Sequence, residues 1–429
     1  MKKLLALLVV IAMAIPTVFA QGGAETKEGE IVEVHFSNIS NEGQNHYYWT
    51  KTAVENYNKE HTDSVIINDA MPGAVQNQSI MALAASDEMP NMCVDKGSWS
   101  QSWGMSGVLY PLNDLLENSV LKEKAVSGAF KEHTVDGTIY AFPWNQGTYG
   151  FILYNSEIFA ECGYDEFPSD IETLMEAFEA IKAHGYIPFA MGDKDLWGAD
   201  SLSFSGFVNK YTGPAWYDNI LKNDGSASFN NPDFIKALTD YQNIALKGYM
   251  NNNLASLANP ERRVLYSTKK AAMISAGNWE CIQISEEAPD VAEVTKIAAW
   301  PGPKNGAKAG DSIVRSVAHG IALGAHNTDA ENAIIMDFLE NYYFTPEWMA
   351  YQTENYGSFA AYEHDYDHSK VNDLVSRLMD KPYEGCLNWD STLPTSVRSV
   401  YQRGLQELLL GMITPQELAS KMQAEMDTL

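Results

Sequence analysis

Strand and helix signals alternate along this chain from Ile31 onward, and that alternation narrows the choice of fold more than any other feature. Ile31 to Phe36 alternates apolar and polar residues, the period of a strand; a helical stretch follows around Tyr47 to Glu60, and Val65 to Ile67 reads as the next strand. Strand, helix and strand in that order make a βα layer on a parallel sheet. Capping chemistry then marks three later helix starts: Ser169 with Glu172, Thr328 with Glu331, and Thr414 with Glu417 behind Pro415. An apolar stripe follows the first of these, from Ile171 through Leu174, Phe178 and Ile181. The reading is an α/β protein, and 429 residues suffice for two or three domains.

Composition limits the partners. The chain carries 29 Lys and Arg against 56 Asp and Glu, a net charge of −27, so the basic footprint that nucleic acid or an anionic membrane surface requires is missing. The first residues read as an export signal: Lys2 and Lys3, an apolar run from Leu4 to Ile15, and a small-residue cleavage site at Val18-Phe19-Ala20. That run is too short to span a bilayer. Cleavage is expected after Ala20, and Gln21 stands where a lipoprotein needs Cys, so no lipid anchor is expected and the periplasm is the expected compartment. Residues 21–30 read as a flexible, Gly-rich leader. Cys93, Cys162, Cys281 and Cys386 lack zinc spacing, and their wide separation gives no reason to pair them. No metal or cofactor is expected.

Several short stretches carry aromatic or polar groups where a core does not call for them. In AAMISAGNWE (residues 271–280), Ala271 to Ser275 reads as a buried strand and Ala276-Gly277-Asn278 as the turn that ends it. Trp279 then stands at the mouth of that turn, either filling a core or forming a flat wall for a ligand, with Glu280 beside it as acceptor or surface. Trp99 and Trp103 lie in DKGSWSQSWG, which reads as a Ser- and Gly-rich loop. In SNISNEGQNH (37–46), Asn41, Glu42 and His46 are ligand candidates, although an Asn-rich turn explains them equally. HDYDH (364–368) has metal-like residue types but reads as an exposed acidic loop.

At GTIYAFPWNQGTYGFILYN (137–155) the chain resembles the bacterial extracellular solute-binding proteins of family 1, the sugar-transporter group. Phe142-Pro143 ends one strand and Tyr154-Asn155 opens a second lobe in that family's pattern. The stretches EIFAECGYDEFPSDIETLMEAFEAIKAHGYIPFAMG, KKAAMISAGNWE, VAHGIALGAHNTDAENAIIMDFLENYYFTPEWM and LQELLLGMITPQELASKMQAEMD follow in the family's order, over residues 31–429. The resemblance implies a two-lobed periplasmic-binding-protein fold of type II, with the ligand clamped between α/β lobes joined by three hinge crossings. The implied lobes are 31–144 with 320–354 and 145–319 with 355–429, crossing near Trp144–Thr148, Arg315–Gly320 and Asn355–Phe359.

It implies a receptor, not an enzyme: a monomer that captures a mono- or oligosaccharide and delivers it to the permease of an ABC importer. A sugar needs flat aromatic surfaces and a ring of donors and acceptors. The resemblance makes Trp279 the stacking residue and places contacts around Trp99 and Trp103, with Ser98 and Trp99 standing where the family has charged residues. Trp144, Asn145 and Gln146 at the hinge, Trp197 in MGDKDLWG, and Trp389 with Asp390 in LNWDS complete the aromatic and polar candidates. Arg315 either binds a carboxylate or phosphate or ion-pairs across the hinge. An exported glycoside hydrolase would use similar platforms with two carboxylates about 5–10 Å apart, and a non-sugar solute would keep the fold. The resemblance favours the sugar receptor over both.

Overall fold

The computed structural model describes residues 31–39, 45–71 and 73–429. The expected signal and leader (residues 1–30), together with Asn41 and Glu42, lie outside the described residues. The fold begins as the alternation predicts: β1 (Val32–Asn38) pairs in parallel with β2 (Ser64–Ala70) and β3 (Met92–Lys96), with the helix Asn45–Glu60 between β1 and β2. A short hairpin, β4 (Thr134–Val135) and β5 (Thr138–Ile139), leads into β6 (Ala141–Asn155). Then come β7 (Ile187–Ala190), β8 (Ala271–Gly277), β9 (Thr295–Ala299), β10 (Ser312–Leu323), β11 (Phe359–Ala360) and β12 (Glu384–Cys386).

The sheet is mixed, not parallel throughout. Its order is β2-β1-β3-β10-β6-β8-β7, with β9 and β11 on β6 and β12 on β10. Strands β6 and β10 run antiparallel to each other and to their other main neighbours, because both cross between the lobes. Ala141–Asn145 of β6 pairs with Ala322–His319 of β10 in the first lobe, whereas Tyr149–Asn155 pairs with β8 and β9 in the second.

Burial explains why one strand serves two lobes. Phe142 and Trp144 pack with Val34, Phe36, Trp49 and Ile321, while Ile152 and Tyr154 pack with Phe178, Phe189 and Met273 in a separate cluster. Between these ends Asn145, Gln146 and Thr148 are half-buried, polar side chains that belong to neither core. The third crossing is longer than the sequence suggests. Phe359 packs with the second lobe, Ala360–Tyr362 return to the first, and the chain settles in the second from Val371.

Thr328–Glu331 and Thr414–Glu417 form reciprocal capping boxes as read. The box at Ser169 does not form. Asp170 caps the helix Ile171–Ala183, accepting from the Thr173 amide at 2.8 Å, and Glu172 instead accepts from the Lys304 amide at 2.8 Å. All four cysteines are buried free thiols. Among the described residues, no helix is long and apolar enough to cross a membrane.

Gly150 marks the point where β6 enters the second lobe. It takes φ +67° at a break in the β6–β8 register, and an added Cβ would meet Val314 Cγ2 at 3.2 Å and the Gly206 backbone at 3.6 Å. A left-handed residue with a side chain costs about 1–3 kcal/mol. Gly150→Ala is therefore expected to lower unfolding free energy by roughly that amount, measured by denaturant titration. An unchanged midpoint would show that the bulge relaxes freely.

Candidate ligand-binding cleft

The helix Asn278–Glu287 starts as soon as β8 ends, so Trp279 sits in a first helical turn and not in a loop. Its indole folds back over Gly277, where an added Cβ would fall 2.3 Å from Trp279 Cη2. The ring is half-buried and stands 5.5 Å from Tyr149 at 59° and 6.3 Å from Trp197 at 58°. The three rings pack with Leu202 and Val314 in a small apolar cluster, and Trp279 and Tyr149 also face a pocket. Trp144, Asn145, His319, Tyr356 and Ser358 line its other sides. Asn278 fixes this wall to the hinge: Thr148 N donates to its Oδ1 at 3.2 Å, and its Nδ2 donates to the Gly357 carbonyl at 2.7 Å. Gly147 and Asn278 also line an adjoining cavity of ≈ 470 Å³ that reaches Gln146, Arg315 and Lys131.

Polar groups bridge the lobes beside this pocket. Lys96 Nζ lies 3.2 Å from Asp390 Oδ2, and Arg398 Nη1 donates to Ser98 Oγ at 2.6 Å. Ser316 Oγ donates to Glu132 Oε2 at 2.8 Å, and Ser391 Oγ donates to the same carboxylate. Burial alone would raise the Asp390 carboxyl, but the charges of Lys96 and Arg398 outweigh it and hold the group at about 2. Asp200 shares the Gln402 amide with Asp390; burial first, then the Asp390 charge, raises it to about 7. Burial raises the Tyr149 phenol, with Glu132 and Asp390 adding to the effect, so it is a neutral hydroxyl at the pocket wall.

The sequence candidates separate by burial. Trp279 and Asn145 line the pocket, Trp197 packs beside Trp279 without lining it, and Gln146 and Arg315 line the neighbouring cavity. Trp144 closes the pocket with a ring only 1% exposed, so it is a wall of the first core and offers no free face. Gln146 donates to the Ala360 carbonyl at 2.9 Å and so serves the hinge backbone. Arg315 is exposed and makes no ion pair among the described residues, so the expected bridge across the hinge is not formed.

Five candidate residues are corrected. Trp99 and Trp103 lie on a helix, Gly97–Met105, and pack with Ile80, Leu109 and Ala141; neither offers a surface for a ligand. Trp389 is core, stacked on Tyr217 at 4.5 Å and 6°. Asp390 is committed to Lys96 and Arg398. Glu280 is fully buried, ion-paired with Arg262 and accepting from the Gly277 amide at 3.1 Å, so it holds the strand-to-helix junction. His46 falls on the helix Asn45–Glu60. In the acidic stretch, His364 pairs with Thr353 Oγ1 at 2.9 Å and Asp367 accepts from the Ser369 amide at 3.0 Å, so these groups serve local turns. Sequence reasoning missed Tyr149, Asn278, His319 and Tyr356. The first three stood inside quoted stretches, but only their register in β6, β8–helix and β10 reveals which way they face.

Residues 40–350 match the family model of the bacterial extracellular solute-binding proteins, and the protein belongs to that family. An uncharacterised ABC transporter extracellular-binding protein of Pyrococcus horikoshii is 32% identical over 143 residues, which is 33% of this chain and 31% of that relative. The match thus spans less than a third of the relative's length. A chitin oligosaccharide binding protein superposes with a TM-score of 0.84 at 23% identity, covering 93% of this chain and 99% of that one. A maltose-bound protein of T. maritima gives 0.73 at 16% identity, covering 92% and 99%. At such identities these structures establish the two-lobed type II fold.

Two variants test the electrostatics. Glu280→Ala leaves the Arg262 guanidinium buried without its partner, which should cost about 3–5 kcal/mol of stability. Asp193 is raised to about 7 by burial, against hydrogen bonds from the Ala199 amide and Gln406. Its folded pKa lies above the unfolded value, so its contribution is full below pH ~4 and is lost as pH climbs to ~7. Unfolding free energy should fall between pH 5 and 7.5, and Asp193→Asn should flatten that fall by roughly 2–4 kcal/mol. Identical slopes in wild type and variant would show that Asp193 is not the group responsible.

Proposed function

We propose that this protein is the exported, ligand-capturing component of an ABC importer and that its ligand is a neutral mono- or oligosaccharide. The observation that carries the reading is the pocket between the lobes, walled by Trp279 and Tyr149 and edged by the amide of Asn145 and the hydroxyls of Ser358 and Tyr356. Aromatic faces suit the C–H patches of a sugar ring, and neutral donors and acceptors suit its hydroxyls. The chain's acidic excess argues against an anionic ligand. Membership of the solute-binding family supports capture and delivery in place of turnover.

On this reading ligand binds better to the closed arrangement of the lobes and shifts the population toward it. The proposed lobes are residues 31–144 with 320–354 and 145–319 with 355–429, which the separate apolar clusters around Phe142 and Ile152 support. A membrane permease is the receiving partner, and the receptor acts as a monomer. Export with cleavage after Ala20 and without lipid completes the proposal.

Calorimetric titration against a panel of neutral oligosaccharides tests it. At least one should bind, and it should be recovered chemically unchanged. Trp279→Ala should then weaken that sugar by about 30- to 1,000-fold, the cost of a hot-spot aromatic. Ligand-free stability should fall by far less than the roughly 3–5 kcal/mol of a core truncation. A folded variant with unchanged affinity removes Trp279 from the site, and steady release of reducing ends would replace the receptor with a hydrolase.

A further inference from the structure

The pocket at Trp279 does not end at its own rim. Tyr356, the last residue of the helix Pro346–Tyr356, lines it and leans on a second tyrosine outside. Tyr356 and Tyr351 have ring centroids 5.8 Å apart at 77°. Trp348 follows at 5.6 Å and 85° from Tyr351, and Tyr48 lies on the helix Asn45–Glu60, which packs against the helix that carries these rings. These are not core residues: Tyr351 is 43% exposed and Tyr48 46%. Single exposed aromatics are ordinary, but a run continuous with a ligand pocket calls for an occupant.

The chemistry of the run selects among occupants. Tyrosine offers a rigid flat face at low entropic cost together with a hydroxyl that gives and takes hydrogen bonds. The near-perpendicular rings present faces and hydroxyl tips in turn, which suits a chain of rings carrying hydroxyls. The surrounding charges are acidic: Glu347 sits on the same helix and Glu286 on the opposite lobe acts on Tyr356. Anionic chains are therefore disfavoured at this rim.

We propose that Tyr356, Tyr351 and Tyr48 form an exit track for a neutral oligosaccharide, with one end of the glycan at Trp279 and further units leaving over the rim of the first lobe. This rests on the sugar-binding reading and makes the ligand an oligosaccharide whose length the rim senses. A monosaccharide would leave the track empty.

The test is calorimetry with paired disaccharides and hexasaccharides of the cello-, xylo-, malto- and N-acetylchito- series. Wild type should bind the hexasaccharide of one series more tightly than its disaccharide. Tyr351→Ala, and Tyr48→Ala in parallel, should weaken the hexasaccharide by about 5- to 30-fold, as loss of one contact of more than about 1 kcal/mol requires. The disaccharide should stay within about twofold, since short ligands reach only the pocket. Tyr351→Phe should keep most of the affinity. Equal loss at both lengths, no loss at either, or no length preference in wild type overturns the track while leaving the receptor reading intact. Failure of every sugar to bind would overturn the receptor reading itself, and the track with it. Ligand-free melts of each variant separate lost contacts from lost folding.

Discussion

The pairing of β6 with β10 is the constraint on which the other features depend. Both strands are shared between two cores, so their relative register fixes how the lobes face each other. The ladder breaks between Ser316 and His319, and there the two strands change from serving one lobe to serving the other. Four residues of the pocket are placed relative to this break. Asn145 and Tyr149 lie on β6, His319 lies on β10, and Trp279 is tied to β6 through Asn278.

The protein's tryptophans show how burial assigns roles that residue type cannot. Trp103, Trp144 and Trp389 are 0–2% exposed and fill cores, although each stands in a stretch with polar neighbours. Trp279 and Trp197 remain half-buried because the elements that carry them end at the cleft. For Trp389 the polar residues on either side, Asn388 and Asp390, are engaged locally: Asn388 caps a short helix and Asp390 takes two cations. Polar flanks therefore say little about which way the indole points.

The architecture was legible from sequence where local physics decides it. The period-2 alternation of β1, the helix after it and two of the three capping boxes appear where they were read, because each depends on residues within a few positions. The family's order of segments carried the two-lobed fold. What stayed hidden depends on distant partners. Glu280 reads as a free acceptor until Arg262, far along the surface of another helix, is packed against it. DKGSWSQSWG reads as a loop because Ser and Gly are poor helix formers, but burial of Trp99 and Trp103 against Ile80 and Leu109 outweighs that preference. The antiparallel hinge strands also fall outside any local rule, since direction follows from the long return of the chain.

The polar bridge between lobes bears on how much work a ligand must do. Lys96–Asp390 and Arg398–Ser98 join residues assigned to different lobes, so on the proposed reading they act on closure whether or not the cleft is filled. Their net weight is modest, because burying charges costs much of what their attraction returns. A bridge that held the lobes shut by many kcal/mol would leave a ligand little to change, and delivery requires the lobes to open again. On the proposed reading the arrangement fits a device close to balance: a partly offset ion pair, a carboxylate at Glu132 satisfied by two serine hydroxyls, and an aromatic wall at Trp279 and Tyr149. Ligand contacts across the cleft then supply the remaining difference. Their strength, not that of the bridge, sets when the receptor closes.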